Sequence, residues 1–249
     1  VFGKVSRNDL DISNGLNEIR FQNGLVLKQY IHATRLTGYF SIEAASTETS
    51  FDKNKNAYLP RLMVPPYNTG KTGTSGNSVE GQGLEQLGYP KGTVEQTTNG
   101  IRYHQPTGGG NFYEVLVQWA FFPGARIIGQ WTISNGKRAE LPPLDPKANE
   151  PTAWNEHLHW WKDYWSRSSV QLPDAQLERQ YYLEMYKFGC VARSDTPPIS
   201  LQAIWTADNG NLPPWKGDFH HDLNTQLSYW PGYASNHTDL TAGYTNWLW

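Results

Sequence analysis

The chain has little cysteine, little methionine and little charge of either sign. Its 249 residues include one cysteine, Cys190, and two methionines, so a disulfide framework, a cysteine-based zinc site and a paired-thiol relay are excluded. Lysine and arginine number 21 against 23 aspartate and glutamate, a net charge of −2. Mean hydropathy is −0.64, and no run of about 18 apolar residues is available to span a bilayer. These features indicate a soluble protein with no electrostatic attraction for nucleic acid or an anionic membrane.

Aromatic residues, in contrast, are abundant. The chain has 11 Trp, 14 Tyr and 9 Phe, and nine of the tryptophans follow residue 150. An aromatic ring stacks on the C–H face of a sugar much as it packs on other apolar surface. Composition therefore leaves two readings open for these rings, ordinary core packing and carbohydrate binding.

The first 140 residues have the pattern of short strands. Runs rich in β-branched and aromatic residues are bounded by Gly, Asn or Pro, and turn signals lie at residues 22–24 and 122–124. The predicted strands are 17–22, 25–32, 39–45, 100–104, 112–121 and 125–133. Strands at this spacing favour an antiparallel β-sandwich, with a long glycine-rich loop region over residues 65–110.

Beyond a proline-rich passage the apolar period becomes helical. Apolar residues recur from Trp154 to Trp165 at the spacing of an amphipathic helix, and a second stripe runs from Leu177 to Ala192 after a start signal at Pro173-Asp174. Cys190 falls on this second helix, where an inert role is expected. The predicted domains are a β-sandwich over 1–140, a linker with a helix over 141–172 and a helical domain over 173–249.

Chemistry-bearing side chains concentrate in residues 201–231. In an extended conformation, His220, Asp222 and Asn224 would project from one face, with His221 on the other, because side chains alternate along a strand. Such a row is suited to sugar hydroxyls and to a positioned water. A helix cap is the alternative role for Asp222. His220 and Asp222 lack a third ligand at a recognised spacing, so no metal site is predicted.

Four segments in order resemble glycoside hydrolase family 95, whose best-known members are inverting α-L-fucosidases. They are "HWWKDYWSRSSVQLPDAQLERQYYLEMYKFGCVARS", "LQAIW", "LPPW" and "HHDLNTQLSYWP". The resemblance implies a multidomain β + α protein: an N-terminal antiparallel β-sandwich, a helical linker and the beginning of an (α/α)6 toroid, incomplete in this chain.

The resemblance also implies residue roles. Two family asparagines that hold the attacking water fall on Asp222 and Asn224, and a substrate-contacting histidine falls on His220. Position 222 is Asp rather than Asn, so it can act as a base itself or change the sugar that is bound. His221, Trp205 and Trp215 complete the candidate substrate-binding residues.

The implied function is an exo-acting, inverting hydrolase that removes a terminal α-L-fucose or a closely related sugar without a cofactor. An α-L-galactosidase-like or other (α/α)6 inverting hydrolase and a noncatalytic carbohydrate-binding protein remain alternatives. A full toroid needs roughly 300 residues or more, so the family's general acid and the carboxylate that activates its amide are expected beyond Trp249. The expected partners are a carbohydrate and the rest of the catalytic domain, with no nucleic acid or membrane, and the expected location is secreted or periplasmic.

Overall fold

The computed structural model describes residues 2–44, 55–70, 83–123, 126–145, 149–201, 203 and 218–249. Within these ranges, strands precede the α-helices. The strands are β1 (Val5–Asp11), β2 (Leu16–Phe21), β3 (Leu25–Ile31), β4 (Gly38–Ala44), β5 (Thr93–Thr97), β6 (Gly100–Pro106), β7 (Phe112–Phe122) and β8 (Arg126–Asn135). The helices are α1 (Asn149–Ser166), α2 (Ala175–Val191), α3 (Leu223–Ala234) and α4 (Thr238–Leu248). Short 3₁₀ turns occupy Lys55–Tyr58 and Gly108–Gly110.

The chain forms two compact units. Unit 1 contains residues 1–64 and 88–159, and unit 2 contains residues 65–87 and 160–249. The strands all belong to unit 1, and α2, α3 and α4 belong to unit 2. The residues of α1 are divided between the two units at His159 and Trp160.

The described strands form one antiparallel sheet of eight strands, in the order β1-β2-β3-β4-β8-β7-β6-β5. Two four-strand meanders are therefore joined where β4 pairs with β8. The six predicted strands and their antiparallel pairing are confirmed. A sandwich has two separately bonded sheets, whereas the described strands are hydrogen-bonded into a single sheet because the β4–β8 ladder connects the meanders.

One face of this sheet carries the core of unit 1. Alternate residues of the central strands project to it, as the period of two requires. The buried members are Leu25, Ile42, Ile101, Val117, Trp119 and Ile127. Residues Tyr58, Leu59 and Leu62 pack against the same cluster, so the segment after the 3₁₀ turn covers this face.

The opposite face carries both polar and apolar side chains and meets the first part of α1. Two buried histidines make this connection. The His32 Nδ1 accepts the backbone N–H groups of Thr34 and Arg35, and its Nε2 lies 3.0 Å from the Ala153 carbonyl. His157 Nδ1 accepts from the Ala33 N–H, and its Nε2 contacts the Asn14 carbonyl. These bonds attach α1 to the loops that follow β1 and β3.

Helices α1 and α2 were both predicted from their apolar periods and are confirmed. Asp174 is the N-cap of α2, and its carboxylate accepts the backbone N–H groups of Gln176 and Leu177 at 2.8 and 3.2 Å. In unit 2, Tyr164 is 1 % exposed and its hydroxyl donates to the Met185 carbonyl of α2. Burial raises the pKa of the Cys190 thiol on this helix, which keeps it protonated and unreactive, consistent with the inert role expected for it.

Glycines allow the helices of unit 2 to approach closely. A Cβ on Gly232 of α3 would meet Thr241 of α4 at 2.6 Å and Phe188 of α2 at 2.7 Å. A Cβ on Gly243 would collide with the Arg193 carbonyl that follows α2. Helix α4 is thus packed directly on α3 and on the end of α2. None of the helices in the described ranges combines the length and hydropathy that a membrane crossing requires.

Candidate functional site

The polar segment 218–224 is a turn that leads into α3, not an extended strand. Helix α3 begins at Leu223, and residues 221 and 222 form a hydrogen-bonded turn before it. The predicted row of His220, Asp222 and Asn224 on one extended face is therefore wrong. The competing interaction comes from Thr225, whose backbone N–H and hydroxyl both donate to the His220 carbonyl, at 2.9 and 2.5 Å.

Thr225 determines what the Asp222 side chain is available to do. Asp222 occupies the N-cap position of α3, its alternative predicted role, but its carboxylate makes no capping hydrogen bond. The His220 carbonyl accepts the Thr225 N–H that a capping side chain ordinarily accepts. The Asp222 side chain is exposed, so its carboxylate is accessible to solvent and to a ligand.

Asn224 lies in the first turn of α3 and is also exposed. Residues two apart on a helix are separated by roughly 200° around its axis. Asp222 lies at the helix boundary, close to Asn224. The side chains of Asp222 and Asn224 therefore do not project in parallel from one face, as they would from a strand. Both groups remain at the N-terminal end of α3.

The two histidines of the turn have different surroundings. His220 is half-buried, and its Nε2 lies 3.7 Å from the Asp218 carboxylate. The backbone of Asp218 is fixed in turn, because its carbonyl accepts the Leu201 N–H at 2.9 Å. His221 is exposed and lies against aromatic rings. Thus His220 has a carboxylate neighbour, whereas His221 has an apolar one.

The rings around His221 form an aromatic cluster that is not evident from the sequence alone. Phe219 is parallel to His221 within 2° at 5.8 Å, and Trp247 lies 5.2 Å from it. Tyr244 stacks on His221 at 5.8 Å and on the buried Tyr229 at 5.4 Å. Tyr244 and Trp247 are three apart on α4, which puts them on one helix face. Only the packing of α4 reveals that this face meets the 219–221 segment.

Two of the predicted substrate-binding residues, Trp205 and Trp215, lie outside the described residues. Among the residues that the structure does describe, no group of three or more His, Cys, Asp or Glu side chains is arranged to hold a metal ion. Neither Glu184 nor Asp239, two other acidic side chains of unit 2, joins the turn. Glu184 contacts Lys187 at 2.8 Å, and Asp239 contacts Arg167 at 2.5 Å, so both have cationic neighbours of their own.

The polar turn and the aromatic cluster lie within a recognisable catalytic domain. Residues 151–248 match the family model described as the glycosyl hydrolase family 95 catalytic domain, which confirms the resemblance seen in the four sequence segments. A search of curated proteins finds no match. The matched stretch contains most of α1, all of α2, α3 and α4, and the turn with Asp222 and Asn224. Residues 151–248 of this chain are therefore similar to the catalytic domain of glycosyl hydrolase family 95, a family of glycoside hydrolases.

Proposed function

We propose that the protein is an exo-acting, inverting hydrolase that removes a terminal α-L-fucose, or a closely related sugar, from an oligo- or polysaccharide. In this proposal Asp222 and Asn224 position and activate the attacking water, and His220 contacts the sugar. One observation carries the proposal: the Asp222 carboxylate stands exposed at the N-terminus of α3, inside the matched catalytic domain, while the His220 carbonyl performs the capping that would otherwise occupy it.

The chemistry of inversion explains the proposed roles. An inverting glycosidase uses a carboxylate to take a proton from a water that attacks the anomeric carbon, while a carboxylic acid on the opposite side protonates the departing oxygen. Asp222 supplies the first group, and the Asn224 amide offers both a donor and an acceptor that fix the orientation of the water. The half-buried His220, with Asp218 beside it, is suited to hydrogen bonding with a sugar hydroxyl.

The proposal assigns the general acid to the remainder of the catalytic domain. Glu184 and Asp239 contact Lys187 and Arg167 and do not join the turn, so neither is assigned as the acid. The exposed apolar stripe of α3, Leu223, Leu227 and Trp230, is 50 to 58 % exposed. We propose that further helices of an (α/α)6 toroid cover this stripe, with the sugar bound in the central cavity of the toroid.

The test is hydrolysis of 4-nitrophenyl α-L-fucopyranoside and the matching α-L-galactopyranoside by the full-length protein, with the first-formed anomer followed by NMR. We expect β-L-fucose as the initial product. Asp222→Ala and Asn224→Ala are each expected to lower kcat by about 10²-fold or more, the usual effect of removing a positioned proton-transfer group. Asp174→Ala is the matched control, because it makes the same exchange at the N-cap of a neighbouring helix.

Three outcomes would contradict parts of this proposal. Full activity in both Asp222→Ala and Asn224→Ala would contradict the assigned roles. An α-L-fucose product would exclude inversion. A higher kcat/KM for the galactoside would replace fucose as the preferred sugar, since the two differ at the C6 hydroxyl that fucose lacks.

A further inference from the structure

A cleft in unit 1, on the face of the sheet opposite the core, is lined by aromatic and charged side chains that are suited to binding a ligand. It has a volume of about 530 Å³, within the range of roughly 300 to 1,000 Å³ that is typical of small-molecule sites. The residues that matter for binding are Lys28 and Tyr30 of β3, Tyr39 and Glu43 of β4, Arg126 of β8 and Trp154 of α1.

The strand register brings these side chains to one face. Tyr30 pairs with Tyr39 across β3 and β4, and Glu43 pairs with Arg126 across β4 and β8. Lys28 lies two residues before Tyr30, so its side chain projects to the same face as the tyrosine. The cleft thus has an aromatic end at Tyr30 and Tyr39 and a charged end at Glu43 and Arg126.

The aromatic end is a rigid wall. The Tyr30 and Tyr39 rings are stacked at 5.1 Å with 16° between their planes, and Trp154 meets Tyr30 edge-on at 4.8 Å. Trp154 is stacked in turn on His157 at 5.3 Å, and His157 is held by two backbone groups. Tyr39 is buried, whereas Tyr30 and Trp154 retain exposed surface. Such a wall offers apolar ring surface to a ligand without a further cost in side-chain ordering.

The charged end carries groups of both signs. Arg126 Nε lies 3.0 Å from the Glu43 carboxylate, and Lys28 Nζ lies 3.9 Å from both Glu18 and Glu43. Glu18 is outside the lining of the cleft and also contacts Arg20. The cleft therefore offers two cationic donors and one carboxylate acceptor. The side chains of Lys28, Glu43 and Arg126 are 41, 34 and 34 % exposed, so each presents surface to the cleft.

A ligand for this cleft needs an apolar face for the aromatic wall and groups that both donate and accept for the paired charges. Hydroxyl groups do both, whereas a phosphate or carboxylate only accepts and leaves Glu43 without a donor from the ligand. We propose that this cleft is a noncatalytic binding site for a short neutral saccharide, which stacks on Tyr30 and Trp154 and hydrogen-bonds to Lys28, Glu43 and Arg126. The lining residues belong to unit 1, and the proposal does not rest on the roles of Asp222 and Asn224.

Binding of neutral and charged saccharides to the 249-residue chain tests this proposal. Xylohexaose, cellohexaose and laminarihexaose serve as neutral probes and hexagalacturonate as the anionic probe, with affinity measured by titration calorimetry. We expect at least one neutral probe to bind and hexagalacturonate to bind more weakly. Lys28→Met and Glu43→Gln should each weaken that binding by about tenfold, the effect of one lost hydrogen bond to a charged group. Lys91→Met, at an exposed lysine outside the cleft, is the control.

Two further variants distinguish loss of binding at the cleft from unfolding of α1 and from binding at the candidate catalytic site. Trp154→Ala should abolish binding, and circular dichroism then shows whether α1 is retained; the two polar variants carry the test if it is not. The double variant Asp222→Asn/Asn224→Ala should bind the neutral probe as the unaltered chain does. The proposal is overturned if no neutral probe binds, or if hexagalacturonate binds more strongly than the neutral probes. It is also overturned if the Asp222→Asn/Asn224→Ala variant loses binding while Lys28→Met and Glu43→Gln retain it.

Discussion

Glycine stands opposite an aromatic ring twice where β4 pairs with β8. Gly38 pairs with Trp131, and Gly129 pairs with Phe40. A Cβ on either glycine would overlap the ring of its partner. The rings thus lie flat over the glycine backbone and fill the space that a side chain would occupy, a known way to stabilise glycine in a sheet. This pairing stabilises the ladder that joins the two meanders.

Gly129→Ala should therefore destabilise unit 1. The added methyl group forces Phe40 out of its position, and overpacking of this kind costs about 1–3 kcal/mol. Gly108→Ala is the control, since a Cβ there meets nothing within 4 Å, and we expect a change within about 0.5 kcal/mol. Urea unfolding of the two variants gives the comparison. Equal stabilities would mean that Phe40 moves aside at little cost.

Two aspartates occupy helix N-caps among the described residues, and one of these two acts as a cap. The Asp174 carboxylate accepts two backbone N–H groups of α2, whereas the Asp222 carboxylate accepts none from α3. The stability of α2 should therefore depend on the side chain of its N-cap residue. The stability of α3 should not, because a backbone carbonyl caps it. The same contrast supports a role for Asp222 outside folding.

Asp174→Ala is expected to lower the free energy of unfolding by about 1 kcal/mol, within the usual range of 0.5–2 kcal/mol for a lost cap. Asp174→Asn should restore most of it, because asparagine caps as well as aspartate. Asp222→Ala should cost less than Asp174→Ala when both are measured by urea unfolding. A larger cost at Asp222 would show that its carboxylate stabilises the turn, and would weaken its assignment to catalysis.

The elements that could be predicted from the sequence are those with a local apolar or aromatic pattern in their own residues. The strands β2, β3, β4, β6, β7 and β8 are rich in β-branched or aromatic residues between turn residues, and the helices α1 and α2 show an apolar helical period. Strands β1 and β5 were missed because they are the edges of the sheet and are almost wholly exposed. Their side chains have no buried face, so no alternation marks them.

The candidate site was predicted by residue but not by conformation. Asp222, Asn224, His220 and His221 were identified from their chemistry and from the family resemblance, and they lie together at the start of α3. The alternation argument failed because Thr225 donates twice to the His220 carbonyl, an interaction that a strand pattern does not contain. Phe219, Tyr244 and Trp247 were not identified because their contact with His221 depends on the packing of α4.

Across the whole molecule, buried imidazoles make stability depend on pH. Burial lowers the pKa of His32, and nearby Arg35 lowers it further. Its Nδ1 accepts two backbone N–H groups, which only the unprotonated nitrogen can do. Burial likewise lowers the pKa of His237 in unit 2, whose Nε2 faces the Tyr164 carbonyl. Both histidines are therefore held neutral in the folded chain.

A histidine whose folded pKa lies below its unfolded value of about 6.5 binds fewer protons when folded, so stability falls as the pH drops below that value. Burial raises the pKa of Glu114, but hydrogen bonds from Ala139, His104 and Arg102 outweigh this and hold the pKa below its usual value. Its stabilising contribution is therefore present above about pH 4.3 and constant between pH 7.5 and 5.5. In that interval the loss should come from the histidines.

We therefore expect the free energy of unfolding, measured by urea titration, to fall between pH 7.5 and pH 5.5, by up to about 1.4 kcal/mol per pH unit for each proton that only the unfolded chain binds. His32→Asn should be less stable at pH 7.5, because the bond to Ala153 is lost, yet show a shallower decline, since the asparagine oxygen replaces Nδ1 as the acceptor for Thr34 and Arg35 without titrating. Parallel pH profiles for His32→Asn and the unaltered chain would show that His32 is not the group whose protonation opposes folding.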